Sequence, residues 1–411
     1  MTLTIQTDRS LIRAQAESTR YILARINAPT APRREQRIPV NVGLVLDRSG
    51  SMGDERKFTL AREAVERSLA MLREEDRFSL VVYDTEVDVL ARSTHATAEG
   101  KRRALEALRS VGPRGGTDLG AGWLRGCEQV SEFLEGERVS RCLLLTDGLA
   151  NHGIVDRGEL AHHAGELRRL GVATSTFGVG ADFDERLLRD MAHEGGGNFY
   201  FIEGASQIPG ILTGELGEAL EVTIRGARLV VRPGALAHVE VLNRFRSRRD
   251  GGQLEIELGD LVSGQELDVV VKVVFPRGEE GSTAGVEAEL LQVAGFVWTY
   301  ASHDANDAQP RNREVDRAVA QLYAARARAE ATEANREGRY DRARRVLEAT
   351  ARRIREYAGD DRELVGMVGA LNEDVEQYEA PMTAAALKRS TFVAEMPMKG
   401  RDYLGRARRR S

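Results

Sequence analysis

Hydroxyl and carboxyl side chains suited to metal binding occur in three short motifs of this chain. The motifs are D-x-S-x-S at residues 47–51, G-G-T-D at residues 115–118 and T-D-G at residues 146–148. Neutral hydroxyls combined with carboxylates suit magnesium, which prefers octahedral oxygen coordination and keeps several waters. The set contains no histidine or cysteine, which disfavours zinc. We therefore predict a site for Mg²⁺, or for Mn²⁺ or Ca²⁺, at Asp47, Ser49, Ser51, Thr117 and Asp147.

A cation held mostly by neutral hydroxyls stays electron-poor and attracts a further carboxylate. The site therefore favours a protein partner that presents an Asp or Glu to the metal. The chain lacks the G-x-S-x-G motif of a serine nucleophile, and the sequence places no general base beside Asp47 and Asp147. The first hypothesis is a binding protein that is not an enzyme. The alternatives are a metal-dependent phosphohydrolase and an adaptor subunit of an ATPase-driven remodelling complex.

The three motifs follow elements that can bring them together. Apolar runs typical of buried strands lie near residues 40–46, 78–83, 142–146 and 173–179, and amphipathic helical patterns lie between them. This alternation predicts a doubly wound, mostly parallel, Rossmann-like α/β sheet over residues 37–220. Ligand sites in such sheets form beyond the carboxyl ends of the strands, which is where the motifs fall.

The order of these motifs on this alternation resembles the metal-ion-dependent adhesion site of von Willebrand factor A domains. The resemblance covers about residues 38–220 and includes Phe177-Gly-Val-Gly180. It implies that Ser49, Ser51 and Thr117 bind the metal directly. It also implies that Asp47 and Asp147 bind directly or through water, and that the domain binds other proteins.

The remaining sequence predicts further units. Alternating strand patterns in residues 1–36 and in residues 221–308 indicate one β-sandwich that the α/β domain interrupts. Residues 309–380 carry helical stripes that predict a small bundle, and one turn near Gly338 resembles a tetratricopeptide repeat. The layout resembles subunits of the COPII coat. It is also similar to prokaryotic regulatory proteins that work beside Ser/Thr kinases and forkhead-associated (FHA) phosphopeptide-binding proteins.

The last segment, residues 381–411, is expected to be a flexible basic tail. From residue 388 onward it carries eight basic and two acidic residues without a helical stripe. Ser390 and Thr391 follow Lys388-Arg389, so both are candidate phosphorylation sites. A Ser/Thr kinase and an FHA-type protein are therefore candidate partners. The alternative is an unmodified tail that tethers the protein to acidic surfaces.

Composition limits the remaining classes. A net charge of −5 disfavours a specific nucleic-acid partner. Cys127 and Cys142 are the cysteines of the sequence, and both lie in apolar patterns typical of buried thiols. The N-terminus lacks a signal-peptide pattern, and no apolar run approaches the ~20 residues that a membrane helix needs. We expect a cytoplasmic protein without a membrane span.

Overall fold

The computed structural model describes residues 1–31, 37–134, 138–234 and 238–409. The chain divides into an α/β unit, Ala31–Val222, and a discontinuous unit that comprises Met1–Thr30 and Thr223–Ser411. The end of the predicted segment 1–36, part of the predicted segment 221–308 and the end of the predicted tail fall on residues outside the described ranges.

The elements are given in chain order. The first strands of the discontinuous unit are β1 (Thr2–Thr7), β2 (Leu11–Arg13) and β3 (Ser18–Asn27). The α/β unit follows with β4 (Val40–Asp47), α1 (Lys57–Met71), β5 (Arg77–Tyr83), β6 (Val87–His95), α2 (Ala98–Ser110), α3 (Leu119–Ser131), β7 (Val139–Thr146), α4 (Arg157–Arg169), β8 (Ala173–Val179), α5 (Glu185–Glu194), β9 (Gly196–Ile202) and α6 (Ile208–Leu220). The discontinuous unit resumes with β10 (Val222–Pro233), β11 (His238–Val241), β12 (Arg246–Asp250), β13 (Gln253–Val262), β14 (Glu266–Phe275), β15 (Thr283–Glu289), β16 (Val293–Ala301), α7 (His303–Ala308), α8 (Arg313–Arg336), α9 (Tyr340–Ala358), α10 (Arg362–Tyr378) and α11 (Ala384–Met398).

The sheet of the α/β unit has the strand order β6-β5-β4-β7-β8-β9. Its pairs are parallel except for β5 and β6, which are antiparallel. Every residue of β4 is buried, as expected for a strand covered on both faces. The chain winds outward in one direction from β4 and in the other from β7. The crevice between the ends of these two strands is therefore the switch point at which such sheets bind ligands.

Helix α3 lies unusually close to the sheet because the residues of α3 that face the sheet include glycines. A Cβ added at Gly126 would fall 2.1 Å from Cγ2 of Val45, and one added at Gly122 would fall 2.3 Å from the Tyr83 ring. The helix begins after Asp118, whose side chain accepts a hydrogen bond from the Ala121 N–H at 2.9 Å. This packing fixes the G-T-D motif that precedes α3 against the end of the sheet.

The discontinuous unit contains two sheets that share one core. Strand β3 pairs with β14 over its whole length, so residues from before and after the α/β unit share one sheet of order β1-β3-β14-β11. The other sheet has the order β12-β13-β10-β15-β16-β2. Side chains from both sheets fill the core between them, and Ile26, Val269, Ile256 and Trp298 are fully buried there. Burial alternates along β13 and β14, which is the pattern of strands packed on one face.

The C-terminal region is helical. Helices α8, α9 and α10 share a core rich in small residues, in which Ala331, Ala343, Leu347 and Leu371 are almost fully buried. A different face of α8, carrying Val315 and Leu322, belongs to a second apolar cluster with residues of β3 and β14. In the described ranges no helix is long and apolar enough to cross a bilayer.

The expectation of a flexible tail over residues 381–411 is wrong for its described part. Residues 384–398 form helix α11, and Thr383 caps it by accepting a hydrogen bond from the Ala386 N–H at 3.2 Å. Ala394 and Met398 are buried in the same apolar cluster as the α8 face. The buried side also carries Lys388, Thr391 and Glu395, so the sequence of this helix shows no continuous apolar stripe.

Ser390 and Thr391 lie within helix α11 and not in a flexible segment that a kinase could reach. Thr391 is buried, and its hydroxyl donates a hydrogen bond to the Leu387 carbonyl at 2.9 Å. Ser390 is half-buried on the same helix. A kinase needs an extended substrate segment, so α11 would have to unwind before either residue could be phosphorylated.

Candidate metal centre

Asp47 joins the end of β4 to the end of β7. Its Oδ1 accepts a hydrogen bond from the Ser49 N–H at 2.7 Å, and its Oδ2 accepts one from the Thr146 hydroxyl at 2.6 Å. The carboxylate is completely buried. Burial raises the pKa of Asp47 to about 6, although the hydrogen bonds from Thr146 and Ser49 oppose this rise. Asp47 therefore anchors the loop that carries the two serines.

The two serines and Asp147 are in direct contact. The Ser51 hydroxyl donates a hydrogen bond to Oδ1 of Asp147 at 2.7 Å, and the hydroxyls of Ser49 and Ser51 lie 3.2 Å apart. Neighbouring ligands of an octahedral Mg²⁺ with bonds of ~2.1 Å are about 3 Å apart. The two hydroxyl oxygens therefore fit adjacent positions of such an ion.

The loop with Thr117 is bonded to both other loops. The Thr117 N–H donates to Oδ1 of Asn151 at 2.9 Å, and the Asn151 N–H donates to the Thr117 carbonyl at 3.1 Å. The Gly50 N–H donates to the Gly115 carbonyl at 3.1 Å. Gly115 has a φ of 69°, a left-handed conformation that favours glycine. The three motifs therefore meet at one end of the sheet.

Lys57, which sequence analysis did not single out, contacts the same site. Its ammonium donates a hydrogen bond to Oδ2 of Asp147 at 2.8 Å. Burial lowers the pKa of Lys57, but the contact with Asp147 outweighs it, and the net shift is upward. All four carboxylate oxygens of Asp47 and Asp147 thus accept hydrogen bonds from neighbouring groups.

The backbone that leads to Lys57 is strained. The 3₁₀ segment Gly50–Arg56 ends in two left-handed residues, Glu55 with a φ of 49° and Arg56 with a φ of 60°. A left-handed conformation costs an L-residue with a side chain about 1–2 kcal/mol. Strain of this kind often occurs at functional sites, where surrounding contacts hold it in place. Here it directs Lys57 toward Asp147.

An arginine network borders the site. Asp84 is buried and lies 2.8 Å from the Nε atoms of both Arg48 and Arg114. Arg114 also pairs with Glu86, and Arg48 pairs with Asp88. Contact with the guanidinium groups lowers the pKa of Asp84 against the raising effect of its burial. These carboxylates are therefore held by arginine, and they fix the loop before Thr117 to the loop after β4.

The donor set fits a hard cation. Across residues 1–31, 37–134, 138–234 and 238–409, no three or more His, Cys, Asp or Glu side chains are grouped so as to hold a metal ion. A metal at the end of β4 would therefore depend on hydroxyl oxygens, as the sequence motifs predict. Hydroxyl ligands suit Mg²⁺ and related ions better than zinc or copper.

The sheet topology and the residues at its switch point are similar to those of von Willebrand factor type A domains. The von Willebrand factor type A domain family matches residues 41–213. The uncharacterized protein YfbK of Escherichia coli is 28% identical over 201 residues, which are 48% of this chain and 34% of YfbK. The uncharacterized protein sll0103 of Synechocystis is 26% identical over 262 residues, which are 61% of this chain and 60% of sll0103. The chain thus spans less than two thirds of the length of these curated relatives.

Solved structures share the fold over nearly the whole chain. A von Willebrand factor type A protein from Catenulispora acidiphila has a TM-score of 0.74 at 16% identity and covers 95% of this chain and 96% of its own. The ArnB paralog VWA2 from Sulfolobus acidocaldarius has a TM-score of 0.61 at 16% identity and covers 97% of this chain and 98% of its own. The α/β domain and the C-terminal helical region therefore belong to a known architecture.

Proposed function

We propose that this protein is a scaffold or regulator that binds a protein partner through a divalent cation. Ser49, Ser51 and Thr117 would hold Mg²⁺, or Mn²⁺ or Ca²⁺, and Asp47 and Asp147 would fix these ligands and supply charge. The observation that carries the proposal is the engagement of both carboxylates by neighbouring groups. An ion held mostly by hydroxyls keeps a strong attraction for an Asp or Glu of the partner.

The surface beside the site supports a macromolecular partner. Leu149, two residues after Asp147, is 55% exposed, and Val155 is 53% exposed in the segment that follows. Arg114 lies at the border of the site with a side chain that is 53% exposed. Exposed apolar residues near arginine are common in protein interfaces. Contacts with these residues would add affinity to the metal–carboxylate bond.

The engaged carboxylates give no support to the hydrolase alternative. A phosphohydrolase that uses a carboxylate as nucleophile or as general base needs that carboxylate to be free. Oδ2 of Asp147 is paired with the Lys57 ammonium, and both oxygens of Asp47 accept hydrogen bonds. An adaptor role in an ATPase-driven complex would use the same metal contact, so co-purification with an ATPase distinguishes it.

The cellular setting that we propose is the cytoplasm. Cys127 and Cys142 are buried free thiols that interact with each other. Two buried thiols without a disulfide framework suit a reducing compartment. A Ser/Thr kinase and an FHA-type protein remain candidate partners only if α11 can unwind around Ser390 and Thr391.

Partner capture from native lysate by the full-length chain tests the proposal. Proteins should be retained in magnesium and released by chelator, and Ser51→Ala should lose them. Ser110→Ala is the matched control, because Ser110 is an exposed serine at the end of α2. Retention that is the same in magnesium, in chelator and with Ser51→Ala would contradict the proposal. Hydrolysis of phosphate esters by the metal-loaded chain would instead favour the alternative.

A further inference from the structure

Beyond its short pairing with β2, the outer edge of strand β16 is paired with no strand among the described residues, although β1 lies near Trp298, which donates a hydrogen bond to the Thr7 hydroxyl at 3.2 Å. On one side it pairs with β15 through residues 293–299, but on the other side β2 reaches only residues 299–301. Tyr300 exchanges its backbone hydrogen bonds with the chain before β15, namely with Ser282 at 2.9 Å and Gly281 at 2.8 Å. Since bonding directions alternate, the backbone groups of Val293, Gly295 and Val297 point outward. Among the described residues, no strand pairs with this outward edge.

This edge lacks the usual protection. Natural sheets guard an open edge with charged residues, proline or a bulge. Residues 290–301 contain neither a charged residue nor proline, although 30% of the whole chain is charged. Val293 and Val297 are 60% and 61% exposed, and Leu291 in the adjoining turn is 76% exposed. The edge is therefore a template for another strand.

We propose that this edge pairs with the same edge of a second copy of the chain, antiparallel and centred on Gly295. In this register Gly295 faces Gly295, and Val293 faces Val297 of the other copy. These are hydrogen-bonded pairs, and each exchanges two backbone hydrogen bonds. The sheets of the two copies then form one continuous sheet.

The strand is complementary to itself in size and charge. In the proposed register Ala294 lies opposite Phe296 of the second copy, so a small side chain faces a large one twice. Both residues are half-buried beside the core of the unit. The exposed valines form apolar cross-strand pairs, which stabilise antiparallel sheets. No charge opposes a charge, because the strand carries none. This complementarity favours a second copy over an unrelated strand.

Stable interfaces bury about 1,200 Å² or more. Edge pairing over five residues is short and buries little surface by comparison. The dimer should therefore be weak and depend on concentration. Sedimentation velocity of the full-length chain over a concentration series should show a monomer–dimer equilibrium that Val297→Lys abolishes. Val365→Lys is the matched control, because Val365 is 52% exposed on α10 and should leave the dimer intact. A monomer at every concentration, or an undiminished dimer with Val297→Lys, overturns the proposal.

Cysteine cross-linking tests the register independently. Gly295→Cys places the two cysteines in a hydrogen-bonded pair with Cα atoms ~5.5 Å apart, within the range of a disulfide. A cysteine is tolerated at position 295, because an added Cβ meets its nearest atom at 3.4 Å. The native cysteines, Cys127 and Cys142, are buried and should not cross-link. Val293→Cys is the control, since its copies would lie about 13 Å apart, four residues along the strand. Mild oxidation should link Gly295→Cys and leave Val293→Cys monomeric. Equal linking of both variants, or none with Gly295→Cys, overturns this register.

Discussion

The ammonium of Lys57 lies 2.8 Å from Oδ2 of Asp147, while the Ser51 hydroxyl lies 2.7 Å from Oδ1 of the same carboxylate. One side of Asp147 thus faces a hydroxyl of the candidate metal site, and the other faces a fixed positive charge. Lys57 neutralises part of the negative charge that would attract a cation. We infer that this pairing keeps the affinity for metal moderate, so that the bound ion retains its attraction for a partner's carboxylate.

Replacing Lys57 by methionine should strengthen metal binding. The change removes a positive charge close to the ion and keeps the Asp147 side chain. We expect the affinity for Mg²⁺ to rise about tenfold, which corresponds to ~1.4 kcal/mol of relieved repulsion. Titration calorimetry measures the change, and Lys57→Arg, which keeps the charge, is the control. Weaker binding by Lys57→Met would instead mean that Lys57 mainly holds Asp147 in place.

Asn151 should matter for the metal without binding it. Its side-chain oxygen accepts a hydrogen bond from the Thr117 N–H at 2.9 Å, and its backbone N–H donates a hydrogen bond to the Thr117 carbonyl. Asn151 therefore holds Thr117 in position. Asn151→Ala removes the side-chain bond, and we expect Mg²⁺ affinity to fall several-fold while the thermal midpoint of the metal-free chain changes little. An unchanged affinity would show that the Thr117 loop does not need this bond.

Metal binding should weaken in mild acid because of Asp47. Its pKa is raised from 3.8 to about 6 by burial, so protons compete with the cation below that pH. Mg²⁺ affinity should be constant above about pH 7 and should fall toward tenfold per pH unit below about pH 6. In the metal-free chain, the folded state binds this proton more tightly than the unfolded state. Asp47 therefore makes folding less favourable as pH rises from about 4 to about 6.

Calorimetry and urea denaturation at several pH values between about 4 and 7.5 measure both effects. Asp47→Asn is the control for the urea series, because it cannot ionise and should remove the pH dependence of stability that this group contributes. An affinity for Mg²⁺ that stays flat from about pH 7 to about pH 5 would contradict the assignment.

The close approach of α3 to the sheet should be sensitive to one methyl group. Gly126→Ala would place a Cβ 2.1 Å from Val45, so α3 must shift and the free energy of unfolding should fall by about 1–3 kcal/mol. Gly214→Ala in α6 is the matched control, since an added Cβ there meets nothing within 4 Å. That change should stabilise the chain by up to ~1 kcal/mol. Equal effects of the two changes in urea denaturation would contradict this packing.

The sequence predicted the α/β sheet well because buried parallel strands have a plain signature. Strand β4 is apolar almost throughout, two of the metal motifs directly follow β4 and β7, and the third directly precedes α3, so their meeting at one edge could be inferred. Lys57 could not be inferred, because its position depends on left-handed backbone at Glu55 and Arg56, which are not glycines. Asn151 lies in a loop, where no periodic pattern of residues indicates contacts, so its contact with Thr117 could not be predicted from the sequence. Helix α11 was missed because its buried side includes the polar residues Lys388, Thr391 and Glu395, which interrupt the apolar stripe.

Titration of the full-length chain with Mg²⁺ tests the central claim most directly. Ser51 is an exposed residue, so Ser51→Ala removes a candidate ligand while the buried groups around Asp47 stay in place. We predict one ion per chain for the unaltered protein, the same affinity for the control Ser110→Ala, and at least tenfold weaker binding for Ser51→Ala, a loss of ~1.4 kcal/mol or more. Absence of binding by the unaltered chain, or equal affinity with Ser51→Ala, would contradict the assignment of this metal site.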